Sequence, residues 1–283
     1  MEQYPPKPEV NMMLLGMTGS GKSASGNTII GGHKKPFKED FSPSSVTKVC
    51  TTEIAEVNGQ TITVIDTVGL SDTDVEITDA QTEIEKKLQR TNLDAFLLVI
   101  KLVEPFTNEK RKAVKWIQEN FGANVLKHTI VLFTHGDALR EQIEIYVSRS
   151  QSLRSVVEQS SGGYHVFNNT DEDQSQVTEL LKKSESLRMK NKYSRYTEQD
   201  YAEAQKALLR KKCATGAAVG GGVGAVVGGG AAAGTAAAGG AAVAAEIGVA
   251  ALIGATGGAA LLAMGVATGV YFLARKYKKD NRD

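Results

Sequence analysis

At 283 residues and 41% hydrophobic content, the chain is long enough for one substantial core plus an appendage. A formal net charge of +1 leaves no electrostatic footprint for nucleic acid, and two widely separated cysteines, Cys50 and Cys213, give no disulfide framework and point to a reducing compartment. The Pro-rich, polar stretch 1–9 reads as a disordered N-terminus and against a cleaved signal peptide.

The first predicted element is a strand carrying Val10, Met12, Met13, Leu14 and Leu15, and it runs into Gly16-Met17-Thr18-Gly19-Ser20-Gly21-Lys22-Ser23. That octet satisfies every fixed position of G-x-x-x-x-G-K-[ST], the loop whose backbone N–H groups curl around a phosphate at the start of a helix. Lys22 would add a mobile positive charge, Ser23 a hydroxyl for Mg²⁺, and Ala24 a further backbone donor from the first helical turn. A Ser/Thr-rich loop follows from Phe41 to Thr52. The second strand, Thr61 to Ile65, ends in Asp66-Thr67-Val68-Gly69, where the Asp suits Mg²⁺ through water and the Gly N–H suits a terminal phosphate.

Helical segments are expected over Asp79 to Arg90 and Glu109 to Phe121, with Val114, Ile117 and Phe121 spaced for one face and Trp116 beside them as core or dimer surface. Between them, Ala95 to Ile100 is continuously apolar, the mark of a parallel strand covered on both faces. Another strand, Thr129 to Phe133, leads into Thr134-His135-Gly136-Asp137. Asp137 there has two readings: a bidentate acceptor for the N1–H and N2–H₂ of guanine, or the N-cap of a helix beginning at Ala138. His33, His128 and His165 fall singly and read as structural. Strands alternating with helices give an α/β fold, a doubly wound, mostly parallel sheet.

These motifs, together with Ser25-Gly26-Asn27-Thr28-Ile29-Ile30-Gly31, Ser45 to Cys50, Phe106-Thr107 and Phe167-Asn168-Asn169, resemble the immunity-associated nucleotide-binding (IAN, or GIMAP) GTPases, relatives of the plastid-import Toc GTPases. Order and spacing hold from residue 10 to about 210. The resemblance implies a P-loop GTPase domain over 10–170 with GTP/GDP and Mg²⁺ as cofactors. Gly16, Thr18, Gly19, Ser20, Gly21, Lys22, Ser23, Ala24 and Gly69 would hold the phosphates. Ser23, Thr47 and Asp66 would form the Mg²⁺ shell, and His135, Asp137 and Asn168 would contact the base. Read from the residues alone, Thr47 is equally a solvent-facing loop residue.

Family members that hydrolyse GTP in dimers carry an Arg before the Phe/Tyr-Thr box, and Pro105 stands there in this chain. Leu70 after Gly69 cannot orient water. No catalytic residue is therefore assigned, and slow intrinsic hydrolysis is expected unless another family member supplies an Arg or Lys101, Lys110 or Arg111 substitutes.

Residues 171–212 are highly charged, lack Pro and Gly, and carry Val177, Leu180, Leu181, Leu187, Tyr201, Ala204 and Leu208 at loose helical spacing, so a helical extension is expected. Its basic cluster, Lys182, Lys183, Arg188, Lys190, Lys192 and Arg195, reads as a solvated face, with anionic lipid as the alternative.

The last region, 213–283, holds 17 of the 29 glycines and, between Ala214 and Ala274, a single charge, Glu246. Gly216, Gly220, Gly224 and Gly228 recur every four residues, a spacing that costs helix stability in water and packs helices in a bilayer. Each half is longer than the ~20 residues of a membrane span, and basic residues flank both ends. A membrane hairpin turning at Glu246 fits, placing the GTPase domain in the cytosol on an intracellular membrane. A flexible Gly/Ala linker and a soluble oligomerisation element are the other readings.

Two functional readings follow: a GTP-dependent, dimerising membrane scaffold that assembles with itself or other family GTPases, or a remodelling GTPase whose tail inserts on GTP binding. An adenine-using ATPase is disfavoured by Asp137.

Overall fold

The computed structural model describes residues 9–31, 35–38, 50–70, 74–102 and 104–220. Six strands form one sheet: β1 (Val10–Leu15), β2 (Thr51–Val57), β3 (Gln60–Asp66), β4 (Ala95–Lys101), β5 (Thr129–Thr134) and β6 (Tyr164–Val166), in the order β2-β3-β1-β4-β5-β6. Only β2 runs antiparallel; the other neighbours are parallel, with Met13 beside both Ile65 and Phe96. Parallel neighbours need crossovers, and α1 (Lys22–Ile30), α2 (Asp74–Leu88), α3 (Asn108–Phe121), α4 (Ile143–Ser148) and α5 (Gln151–Gln159) lie in them, while α6 (Ser175–Lys190) and α7 (Glu198–Gly220) follow the last strand.

Both faces of the central strands are covered, which is why β1, β4 and β5 are mostly apolar and, but for Lys101, buried along their whole length, with Asn11 the one polar residue inside β1. Alternation then sorts the side chains. Met13, Leu15, Phe96, Leu98 and Phe133 join Ile84, Val114, Ile117 and Phe121 in one cluster, while Met12, Leu14, Leu97 and Leu132 join Ile29, Phe37, Val177 and Leu180 in the other. Burying each such side chain contributes about 1.5–3 kcal/mol. Trp116 is a half-buried neighbour of the first cluster, edge-on to Phe121.

Two strands were not legible as strands. β2 overlaps the expected loop at Thr51 and Thr52, because it is a sheet edge whose Ile54 is two-thirds exposed and whose apolar residues mark no buried face. β6 has three residues, too few for a period. Helix α2 starts earlier than expected, at Asp74, and α3 begins at Asn108 with the Thr107 side chain as its cap.

The chain beyond Thr170 packs closely on the sheet. α6 lays Val177, Leu180, Leu181 and Leu187 into the second cluster, and α7 sets Tyr201 and Ala204 against α3 and α2. The basic cluster divides: Lys182 and Lys192 lie exposed as on a solvated face, whereas four of the six bond to the fold. Arg188 Nε lies 3.1 Å from the buried Asp94 carboxylate, Arg195 donates to the same oxygen at 3.0 Å, Lys183 donates to the Tyr164 carbonyl and Lys190 to the Ser161 carbonyl.

Residues 214–220 continue α7, and the rest of the Gly/Ala-rich segment, with Glu246, lies outside the described residues. Among the described residues no helix is long and apolar enough to cross a membrane.

Candidate nucleotide-binding site

The phosphate-loop octet bridges β1 and α1. Gly21 sits at φ +93, in the left-handed region, immediately before the helix, and a Cβ there would press on the Thr134 side chain at 3.1–3.4 Å. The loop is pinned from beneath: Thr134 Oγ1 donates to the Ser20 carbonyl at 2.8 Å, and Ser25 N donates to Gly21 O. Lys22 is almost fully buried and curls back, its Nζ donating to the Gly16 and Met17 carbonyls at 3.2 and 2.9 Å. Burial lowers its pKa to about 8, opposed by the nearby Asp66 carboxylate.

Asp66, at the end of β3, comes to this loop as the sequence predicts. Ser23 Oγ donates to Asp66 Oδ2 at 2.7 Å, and Asp66 Oδ1 is buried without a hydrogen-bond partner among the described residues. Burial raises the Asp66 pKa, while the Ser23 hydrogen bond and then Lys22 act against that rise. A hydroxyl and a carboxylate with an unused oxygen are the hard oxygen donors that suit Mg²⁺, so these residues fit the ion. Thr18 Oγ1 and Ser20 Oγ are likewise buried and unpartnered among the described residues. Thr47 lies outside the described residues.

The Asp66-Thr67-Val68-Gly69 turn closes onto the loop from the other side. Thr67 Oγ1 donates to Leu14 O, Leu70 N to Gly16 O, and Thr18 N to Leu70 O at 3.2 Å. A Cβ on Gly69 would lie 2.6 Å from the Thr18 Cα, so only glycine fits this approach. Leu70 is buried in the core and presents no polar group.

The base-side candidates gather on two loops at the ends of β5 and β6. His135 adopts φ +61, and a short 3-10 turn, Gly136–Ala138, follows. Asp137 is exposed within that turn and caps no helix, since the next helix starts only at Ile143; the N-cap reading is therefore incorrect. Gly136 N donates to Phe167 O, which joins this turn to the Asn168 loop. Asn168 is held through its backbone: its N donates to Gln176 Oε1 and its carbonyl accepts from Gln176 Nε2, both at 3.0 Å. Asn169 reaches α1, donating to Ser25 Oγ and accepting from Thr28 Oγ1.

Sequence reasoning passed over Thr134, Asn169 and Gln176 as site residues. Asn169 carried a signal, as the second Asn of Phe167-Asn168-Asn169; Gln176 carried none, because its role depends on where α6 begins.

Beside the phosphate loop lies a cavity of about 370 Å³ whose far wall is the end of β4 and the start of α3. Of the cations considered as substitutes for an arginine, Lys101 and Lys110 line it, whereas Arg111 turns away to Asn108 and Ser152.

Residues 10–214 match the AIG1 family. The chain belongs to that family. Among its AIG1-type relatives, human GTPase IMAP family member 8 is 38% identical over 63% of this chain and 28% of its own length. Immune-associated nucleotide-binding protein 7 of Arabidopsis thaliana is 34% identical over 68% of this chain and 65% of its own. The chain thus spans less than two thirds of either relative. Toc33 from Arabidopsis thaliana, solved with GDP and Mg²⁺, superposes with a TM-score of 0.54 at 22% identity, over 67% of this chain and 87% of that one. A second Toc33 structure, of a dimerisation-deficient variant, gives 0.53 at 20% identity over the same shares. The fold of this AIG1 protein is that of a P-loop GTPase domain.

Proposed function

We propose that this chain is a guanine-nucleotide-binding protein of the immune-associated type. It holds GTP or GDP on the loop Gly16 to Ala24, with Mg²⁺ on Ser23, Asp66 and Thr47 and the base against His135, Asp137 and Asn168. The supporting observation is the 2.7 Å bond between Ser23 and Asp66 beside a buried, carbonyl-anchored Lys22, which joins the two phosphate motifs in one cradle. Mg²⁺ would neutralise phosphate charge there. Lys22 and the N-terminus of α1 add positive potential, Gly69 lets the backbone approach a terminal phosphate, and Leu70, buried and apolar, neither orients water nor takes its proton.

Slow hydrolysis and assembly with itself or related GTPases complete the proposal. Support for assembly comes from the chloroplast translocon components Toc33 and Toc159, of similar fold at 22% identity, for whose GTPase activity dimerisation is important. Residues 213–283 would hold the protein to the cytosolic face of an intracellular membrane.

Competition binding tests the base assignment. Wild type should prefer guanine over adenine nucleotides, and Asp137→Asn should shift preference toward xanthine, whose C2 carbonyl needs a donor where guanine's amine needs an acceptor. ATP preference in wild type, or unchanged base preference in the variant, would refute it. For attachment, liposome flotation of the full chain against a truncation ending at Lys212 decides whether the tail binds membrane.

A further inference from the structure

Met17, Thr18 and Gly19 face Lys101, Glu104 and Lys110 across one cavity. The two lysines do not point at solvent. Lys101 Nζ lies 2.9 Å from Glu104 Oε1, and Lys110 Nζ lies 3.2 Å from Glu104 Oε2 and donates at 3.4 Å to the Glu104 carbonyl, so a single residue holds both cations, chiefly through its carboxylate. Lys110 is largely enclosed, at 13% side-chain exposure, while Glu104 is half exposed. Both lysines in turn hold the Glu104 carboxyl below its ordinary pKa range.

The geometry points to Glu104 as a restraining residue that keeps Lys110 off the terminal phosphate of GTP, and to Lys110 as the cation that neutralises that phosphate once released. This reading rests on the proposed GTP site. Two physical features carry it. Exchanging Glu104 for a phosphate costs little, because an ion pair with a half-exposed carboxylate is weak, whereas a triphosphate offers an ammonium several charged oxygens. The residues on this wall are tethered: the Tyr146 OH shares its one proton between the carbonyls of Leu102 at 2.7 Å and Glu104 at 3.2 Å, so the Glu104 side chain turns out from an anchored residue.

In the hydrolytic step, the water oxygen bonds to the γ-phosphorus and the γ-phosphorus to bridging-oxygen bond breaks. The bridging oxygen departs with the electron pair on GDP, and the water proton ends on the released phosphate. Lys110 stays protonated throughout and stabilises the charge that accumulates on the transferring group.

Single-turnover GTP hydrolysis by the full chain, with Mg²⁺, tests the assignment. Glu104→Gln is expected to speed hydrolysis and Lys110→Ala to slow it, each about tenfold. The double variant should lose the gain, and Lys110→Arg should keep part of the activity that Lys110→Ala loses. Arg111→Ala, which removes a charge from the same helix on the side away from the cavity, should match wild type. No gain in Glu104→Gln, or a gain that survives in the double variant, overturns the proposal. Binding of mant-GDP separates the two levels: variants that bind it but break the pattern sink only the Glu104 restraint, and a wild-type chain that fails to bind it sinks the phosphate-loop reading as well.

Discussion

Asn169 and Thr28 meet at 2.9 Å although 141 positions separate them in the chain. With the second bond to Ser25, Asn169 fastens the proposed base loop to the helix that carries the phosphate loop. Replacing it by Leu removes both bonds; the Thr28 hydroxyl keeps its bond to the Ala24 carbonyl, while the buried Ser25 hydroxyl loses the amide that donates to it. Loss of such partly buried hydrogen bonds costs on the order of 1–2 kcal/mol, so GDP affinity in Asn169→Leu should fall about tenfold while the far-UV spectrum is retained. Titration calorimetry gives the number, and an unchanged affinity would mean the two loops act independently.

Gly69 makes a backbone approach that no side chain tolerates. In Gly69→Ala the new methyl would meet Thr18 main-chain atoms at 2.6–2.8 Å, so either the loop or the turn must move. A non-hydrolysable GTP analogue should lose at least about tenfold in affinity, and GDP less, because the proposed Gly69 contact is with the terminal phosphate alone. Equal losses for both nucleotides would place the strain on the whole loop.

Asp94 is 3% exposed and its carboxylate accepts from Asn11 N as well as facing Arg188 and Arg195. Asp94→Ala leaves Arg188, itself 9% exposed, beside no carboxylate among the described residues but the partly exposed Glu185. Breaking one side of a buried pair costs about 3–5 kcal/mol, and urea denaturation should show a loss of that size. Arg195→Ala, at a more exposed position, should cost much less.

His128 and His165 are both buried, and burial lowers both pKa values below the usual histidine range, despite hydrogen bonds that favour the charged ring. The folded state therefore takes up fewer protons than the unfolded chain as pH falls below about 6.5, so stability declines in that direction. Melting temperature should fall from pH 6.5 to 5.5, after a shallower fall between pH 8 and 7 in which the buried Lys22, whose pKa is lowered to about 8, regains its proton. His165→Gln, which keeps a donor for the Gln176 carbonyl, should soften the fall; a wild-type curve with no decline in that window would contradict the burial argument.

The central strands and both phosphate motifs could be read from residues because they depend on local pattern: uninterrupted apolar runs for doubly covered strands, and a fixed octet for the loop. Asp137, Asn168 and Asp66 reach the site because parallel strands all end on the same edge of the sheet. What escaped reading depends on distant partners. β2 is defined by its register with β3 and not by its own pattern, and the basic run on α6 looked solvated until Asp94 arrived from 94 positions earlier in the case of Arg188. Gln176 and Glu104 belong to the same class, since each acts through a neighbour that only the fold supplies.

Gly122 ends α3 at φ +78, and its Cα is so close to α7 that an added Cβ would sit 2.9 Å from the Ala204 methyl. The other end of α3 carries Lys110 at the wall of the phosphate-side cavity. Helices in such contact cannot slide independently, and α7 is the element from which the glycine-rich tail departs. A side chain added at Gly122 therefore presses α3 and α7 apart at this contact, at the end of α3 opposite Lys110.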